Sequence, residues 1–173
     1  MKREFKYGLL AGVAMIAWTL AEYALGLHNA HFALGRYTSW GTEAILLLML
    51  WRVTLARFAT LNRYWVPAWD GMVHGLLAGL TAGLVYYMFL SIYVTVINPE
   101  WTDLSLEWQV ARMRAGGESE PAVRDFVRSF RWMSGPIGLA VLTAGLYAAI
   151  GTVFSGLLTV WLNLRRKEIP PVD

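Results

Sequence analysis

Between Asp70 and Ile97 the sequence is apolar almost throughout and carries Gly75, Gly79 and Gly83 at intervals of four. Residues four apart stack on one face of an α-helix, so the three glycines predict a smooth groove in which a second backbone can settle. In water such a ridge would weaken a helix by roughly 1 kcal/mol per glycine. In a bilayer, where helices associate by close van der Waals contact, it is a packing surface. The stretch therefore predicts a membrane helix built to be covered by its neighbours.

Composition extends this reading to the whole chain. Of 173 residues, 57% are hydrophobic and 16% charged, whereas a soluble globular domain is about a quarter charged. At roughly 20 apolar residues per span the length accommodates four helices and one modest extramembrane segment, with no room for a separate soluble catalytic domain. Cysteine is absent, which excludes disulfides, thiolate chemistry and zinc knuckles.

The predicted fold is an all-α, integral membrane four-helix bundle, a single membrane domain over residues 1–173. Its spans cover about 7–27, 41–59, 70–97 and 135–163, with a short amphipathic helical segment, 100–134, between the third and fourth. Lys2, Arg3 and Lys6 precede the first apolar run, which is longer than a signal peptide's core and has no small-x-small cleavage site after it, so a retained first helix is expected. It holds Gly8, Gly12 and one acid, Glu22. A short loop, 28–40, leads to the second span, with Arg52 and Arg57 toward its far end. Asn98-Pro99 ends the third span, because proline cannot continue a helix. In the hydrophilic segment Val123, Phe126, Val127 and Phe130 fall at helical spacing beside Arg124, Arg128 and Arg131, and Gly116-Gly117 separates them from an earlier helical pattern around Leu106, Val110 and Met113. Ala140, Ala144 and Ala148 form a second small-residue ridge in the last span.

The basic residues set the expected orientation. The N-terminus, the turn 60–69 with Arg63, and the C-terminus with Arg165, Arg166 and Lys167 are basic, whereas the first loop holds only Arg36. This bias places both termini in the cytoplasm of a bacterial inner membrane and segment 100–134 outside. Trp40, Trp101 and Trp132 then mark the outer interface, and Tyr7, Trp65, Trp69 and Trp161 the inner one. The net charge of +3 follows from these positions, so the lipid bilayer rather than nucleic acid is the expected partner.

The order Tyr7-Gly8-Leu9, Glu22, Leu25-Gly26-Leu27-His28 and Tyr37-Thr38, then the glycine-rich third span, Asn98-Pro99-Glu100 and Trp132-Met133-Ser134-Gly135-Pro136, resembles domain-of-unknown-function family 4199, small bacterial four-span membrane proteins. The resemblance covers nearly the whole chain and implies the architecture without an activity. The use of arginine over lysine departs from the lysine-rich pattern of that family.

Ionisable groups within spans are costly and are functional candidates by default. Glu22 and Glu43 fall at similar depths near the outer ends of the first two spans, with His28, His31 and Arg36 in the loop above them. Two acids and two imidazoles at one mouth could bind a divalent metal or relay protons; the plainer alternative pairs Glu22 with Arg36, a histidine or a hydroxyl. Arg52 is the intramembrane cation expected to have a partner, Asp70 or a backbone carbonyl. His28 and His74 lie at opposite ends of their spans and cannot ligate one haem. No phosphate loop, nucleophile triad or dinucleotide fingerprint is present, and no cofactor, metal or catalytic residue is assigned. The function expected is a non-enzymatic interaction or accessory component, alone, as a homo-oligomer or with a membrane protein partner. The alternatives are a small oligomeric transporter or channel, and a membrane metalloenzyme.

Overall fold

Helix is the only regular structure in the computed structural model, which describes residues 3–60 and 65–166. Lys2, Arg63, Tyr64 and Lys167, and the side chains of Thr60 and Arg166, lie outside the described residues. The elements are α1 (Arg3–Ala24), α2 (Phe32–Thr38), α3 (Trp40–Thr60), α4 (Ala68–Ile92), α5 (Trp101–Ala115), α6 (Glu120–Ser134), α7 (Pro136–Ala140) and α8 (Leu146–Arg166). A π-helical turn, Tyr93–Ile97, continues α4, and a second, Val141–Gly145, joins α7 to α8.

Local chemistry sets the ends. After α1, Gly26 takes φ +72°, and the Leu27 and Gly26 amides donate to the Glu22 and Tyr23 carbonyls. The same paired bonds occur at Gly117 (φ +79°), where Glu118 and Gly117 donate to Met113 and Arg114. Both are left-handed helix stops that glycine adopts without a Cβ clash. Ser119 caps α6 by accepting from the Ala122 amide, with Pro121 in the first turn. Arg114 and Glu120 form a bidentate pair across this hairpin turn, and those hydrogen bonds hold the Glu120 carboxyl below the usual carboxylate range.

α4 is the central element, packed against α1, α3 and α8. Its glycine face meets α8 almost backbone to backbone: a Cβ at Gly75 would meet the Gly151 carbonyl, one at Gly79 the Tyr147 carbonyl, and one at Gly83 the Ala144 Cα at 2.6 Å. Gly71 extends this face against Ser155 and Thr159. Within the alanine ridge, Ala144 and Ala148 lie at this contact, and Gly151 and Ser155 continue it. On another face of α4, Ala78, Thr81, Ala82 and Val85 receive Gly8 and Gly12 of α1. The buried core, including Met15, Leu46, Leu50, Ala82 and Tyr93, fills the space between these contacts.

Among the described residues three helical stretches are long and apolar enough to cross a membrane: Arg3–Ala24, Ala68–Ile97 and Pro136–Arg165. α3 has the length, 21 residues, but carries Glu43, Arg52 and Arg57, and those charges keep it out of this set. The loop expected between the first two spans is itself partly helical, as α2, which docks where Gly35 abuts the Leu27 carbonyl.

Candidate functional site

At the end of the bundle that carries the α5–α6 hairpin, a polar cluster is buried among aromatic rings. α1 presents Glu22 inward one turn before its glycine stop, and the turn folds His28 back over it. His28 Nε2 faces Glu22 Oε2 at 3.5 Å, and both side chains are less than 10% exposed. His28 Nδ1 hydrogen-bonds the Tyr93 hydroxyl. Asn98 Nδ2 donates to the same hydroxyl at 3.1 Å and to Asn29 Oδ1 at 3.1 Å. Tyr93 opens the π turn that continues α4, and the Asn98 amide closes that turn on the Tyr93 carbonyl at 2.7 Å. Trp101 of α5 covers the cluster, its ring 6.0 Å from His28 and 6.2 Å from Tyr93.

The donors and acceptors allow one proton order along the cluster: with Asn98 donating to the Tyr93 oxygen, the Tyr93 hydroxyl can donate to His28 Nδ1, and Nε2–H then faces Glu22. That requires a neutral imidazole, and burial does lower the His28 pKa, with Glu22 opposing the shift. The second Glu22 oxygen is buried without a hydrogen-bond partner. The arrangement can hold a proton and orient it along a short chain.

Of the five residues expected at this mouth, only Glu22 and His28 come together. Glu43 accepts from Thr42 Oγ1 at 2.9 Å, on its own helix. His31 is exposed, because the turn after Gly26 carries it away from the interior. Arg36 does not pair with Glu22. Its guanidinium lies 4.0 Å from the centre of the Trp108 ring, with Arg112 on the same ring at 5.4 Å, a cation–π contact between α2 and α5. Among the described residues no three His, Asp or Glu side chains are grouped to hold a metal ion, so His28, His31 and a carboxylate do not converge.

Arg52 is corrected as well. It is exposed on the outside of α3 and has no hydrogen bond or ion pair among the described residues. The partner of Asp70 is Arg57, whose Nε and Nη2 each lie 3.1 Å from a carboxylate oxygen. The cause is helical register: five residues rotate the side chain by more than a quarter-turn, from the surface toward α4.

That pair belongs to a second cluster, at the opposite end of the bundle, which sequence reasoning missed. His74 Nδ1 bonds the Asp70 carbonyl at 2.6 Å, and Nε2 lies 2.9 Å from Glu4 Oε1. Arg3 donates to the Ala56 carbonyl at 2.9 Å. Asn163 of α8 accepts from the Val66 amide and donates to the Val66 carbonyl. These bonds tie α1, α3, α4 and α8 together. The available signal was the spacing of Asp70 and His74 on one face, opposite an acid, Glu4, in the first turn of α1.

The family described as "Protein of unknown function (DUF4199)" matches residues 6–162. No curated protein and no solved structure matches the chain.

Proposed function

We propose, from the premise that the chain belongs to the DUF4199 family, that it is a four-span bacterial inner-membrane protein with a non-enzymatic interaction or accessory role. α1, α3, α4 and α7–α8 cross the bilayer, both termini are cytoplasmic, and the α5–α6 hairpin is the face presented outside. The observation that carries the reading is the tight packing among the described residues. At Gly75, Gly79 and Gly83 the backbone of α4 meets that of α8, and Glu22 is only 4% exposed. A transporter needs water at Glu22 or a path past Arg52, and Arg52 points away from the interior. α3 becomes the fourth span because Arg57 is neutralised by Asp70 on the next helix, while Arg52 can extend its head group toward the lipid phosphates. The hairpin supports an interaction role: α6 buries Val123 and leaves Arg124, Arg128, Arg131 and Trp132 exposed.

The absence of cysteine makes the test direct. Single cysteines at Lys6 and Glu118, both exposed, are treated with a membrane-impermeant maleimide on intact cells. Glu118→Cys should label at once and Lys6→Cys only after permeabilisation; equal labelling of the two overturns the four-span topology. Purification in mild detergent tests the role, with a stoichiometric partner or a homo-oligomer expected. A lone monomer overturns the interaction reading.

A further inference from the structure

Where the hairpin meets the spans the structure leaves an apolar cavity of about 190 Å³. Val94 and Leu142, one from each π turn, form its floor together with Leu139, and Trp101, Phe130 and Met133 from α5 and α6 form its roof. Each π turn adds a residue to its helix and shifts the side chains beyond it out of α register, a distortion often found at functional sites. Here both distortions border one space. The cavity is somewhat larger than the roughly 150 Å³ apolar cavity that stays dry and takes a benzene ring.

Two further features restrict what fits. Leu142 lines the cavity and is itself 38% exposed, and Val141, next to it in the chain, is more than half exposed, as is Val96, two residues beyond the lining Val94. The cavity is thus bordered by exposed apolar residues of two of the long apolar stretches, Ala68–Ile97 and Pro136–Arg165. The wall also carries two hydroxyls one helical turn apart, Thr102 and Ser105, neither hydrogen-bonded among the described residues. Ser134, the third hydroxyl, is already bonded to the Phe130 carbonyl. On α6, Arg131 follows Phe130 and is exposed at the flank of the lining face.

We infer that this cavity binds one acyl chain of a membrane glycerophospholipid, with the ester oxygens accepting from Thr102 and Ser105 and the phosphate drawn to Arg131. Hydrocarbon walls open to a bilayer take hydrocarbon, since water needs two to four polar partners and most of this lining supplies none. The hydroxyl pair selects a chain that ends in an acceptor, and Arg131 selects a negative head group. Trp101 separates this site from the Glu22–His28–Tyr93 cluster, so the occupant rests against the ring that covers that cluster.

The inference rests on the bilayer-spanning reading above, and its test separates the two. The intact chain is extracted in mild detergent from vesicles of phosphatidylglycerol, and retained lipid is read by native mass spectrometry. One phosphatidylglycerol per chain is expected. Ser105→Phe and Leu142→Phe fill the cavity from opposite walls, and in both the retained fraction should fall about tenfold, a loss of ~1.4 kcal/mol of binding free energy. In vesicles whose acyl chains are dibrominated, the quenched share of tryptophan emission should shrink in Trp101→Phe. The inference is overturned by retention unchanged in both filled variants, by quenching unaltered in Trp101→Phe, or by a retained mass that fits a free fatty acid. If positions 6 and 118 label from opposite sides while no lipid is retained, the topology stands and the site does not.

Discussion

His28 sits between the Tyr93 hydroxyl and the Glu22 carboxylate, and its fold-dependent titration gives a pH prediction with a defined sign. Burial lowers its pKa below the ordinary value of 6.5, so between the two values the unfolded chain binds more protons than the folded one. Stability therefore rises with pH in that window: the contribution is complete above about 6.5 and is lost as pH falls toward the folded pKa. Thermal unfolding in detergent from pH 8 to pH 5 should show a falling midpoint, and His28→Gln should flatten this part of the profile; an unchanged slope would remove His28 as its source. Tyr93→Phe strips the hydroxyl shared by His28 and Asn98, leaving His28 Nδ1 buried and unpaired and Asn98 Nδ2 with Asn29 as its remaining partner. It should cost about 1–3 kcal/mol, read as a lower unfolding midpoint without loss of helicity. At this scale Glu22 and His28 were legible because ionisable groups stand out in an apolar run. Tyr93 was not, since an aromatic residue within such a run reads as core until the turn that places it is known.

Glycines on neighbouring helices here have very different neighbourhoods, and the contrast tests what holds α4 to α8. An added methyl at Gly79 meets the Tyr147 carbonyl, whereas at Gly145 the nearest atom is Val141 Cγ1 at 3.9 Å, an ordinary contact. Gly79→Ala must push two backbones apart and should cost about 1–3 kcal/mol; Gly145→Ala should be neutral or gain up to about 1 kcal/mol from helix propensity. Unfolding midpoints in detergent decide it, and equal effects would mean that the α4–α8 contact is not tight. The groove could be read from the four-residue spacing of Gly75, Gly79 and Gly83 alone, because only a close approach makes repeated glycine useful in a helix. The π turns at Tyr93–Ile97 and Val141–Gly145 could not, since i→i+5 bonding has no residue signature and arises where packing shifts a helix by one position. The same limit hid the cavity those turns border.

Across the described residues most ionisable side chains gather toward the two ends of the bundle, and α3 is the element that this division exposes. Its Glu43, Arg52 and Arg57 keep it out of the set of long apolar helices, and an arginine at the centre of a membrane helix costs roughly 2.5–3.5 kcal/mol on insertion scales. The bidentate contact of Arg57 with Asp70, in the first turn of α4, offsets part of that cost only if α3 and α4 are in place together. α3 and α4 should therefore insert as a pair. Asp70→Asn leaves Arg57 with a neutral partner and should lower stability by about 1–2 kcal/mol, a modest figure because Arg57 remains partly exposed. Restoring neutrality with Arg57→Met in the same chain should recover most of the loss, since removing one partner of a charge pair is worse than removing both. The measurement is the fraction of chains in which a cysteine placed at Ala59 is shielded from the impermeant maleimide. That fraction should drop in Asp70→Asn and return in the double variant; additive losses would instead mean that α3 is held by its apolar contacts alone and that the charge pair is incidental to its placement.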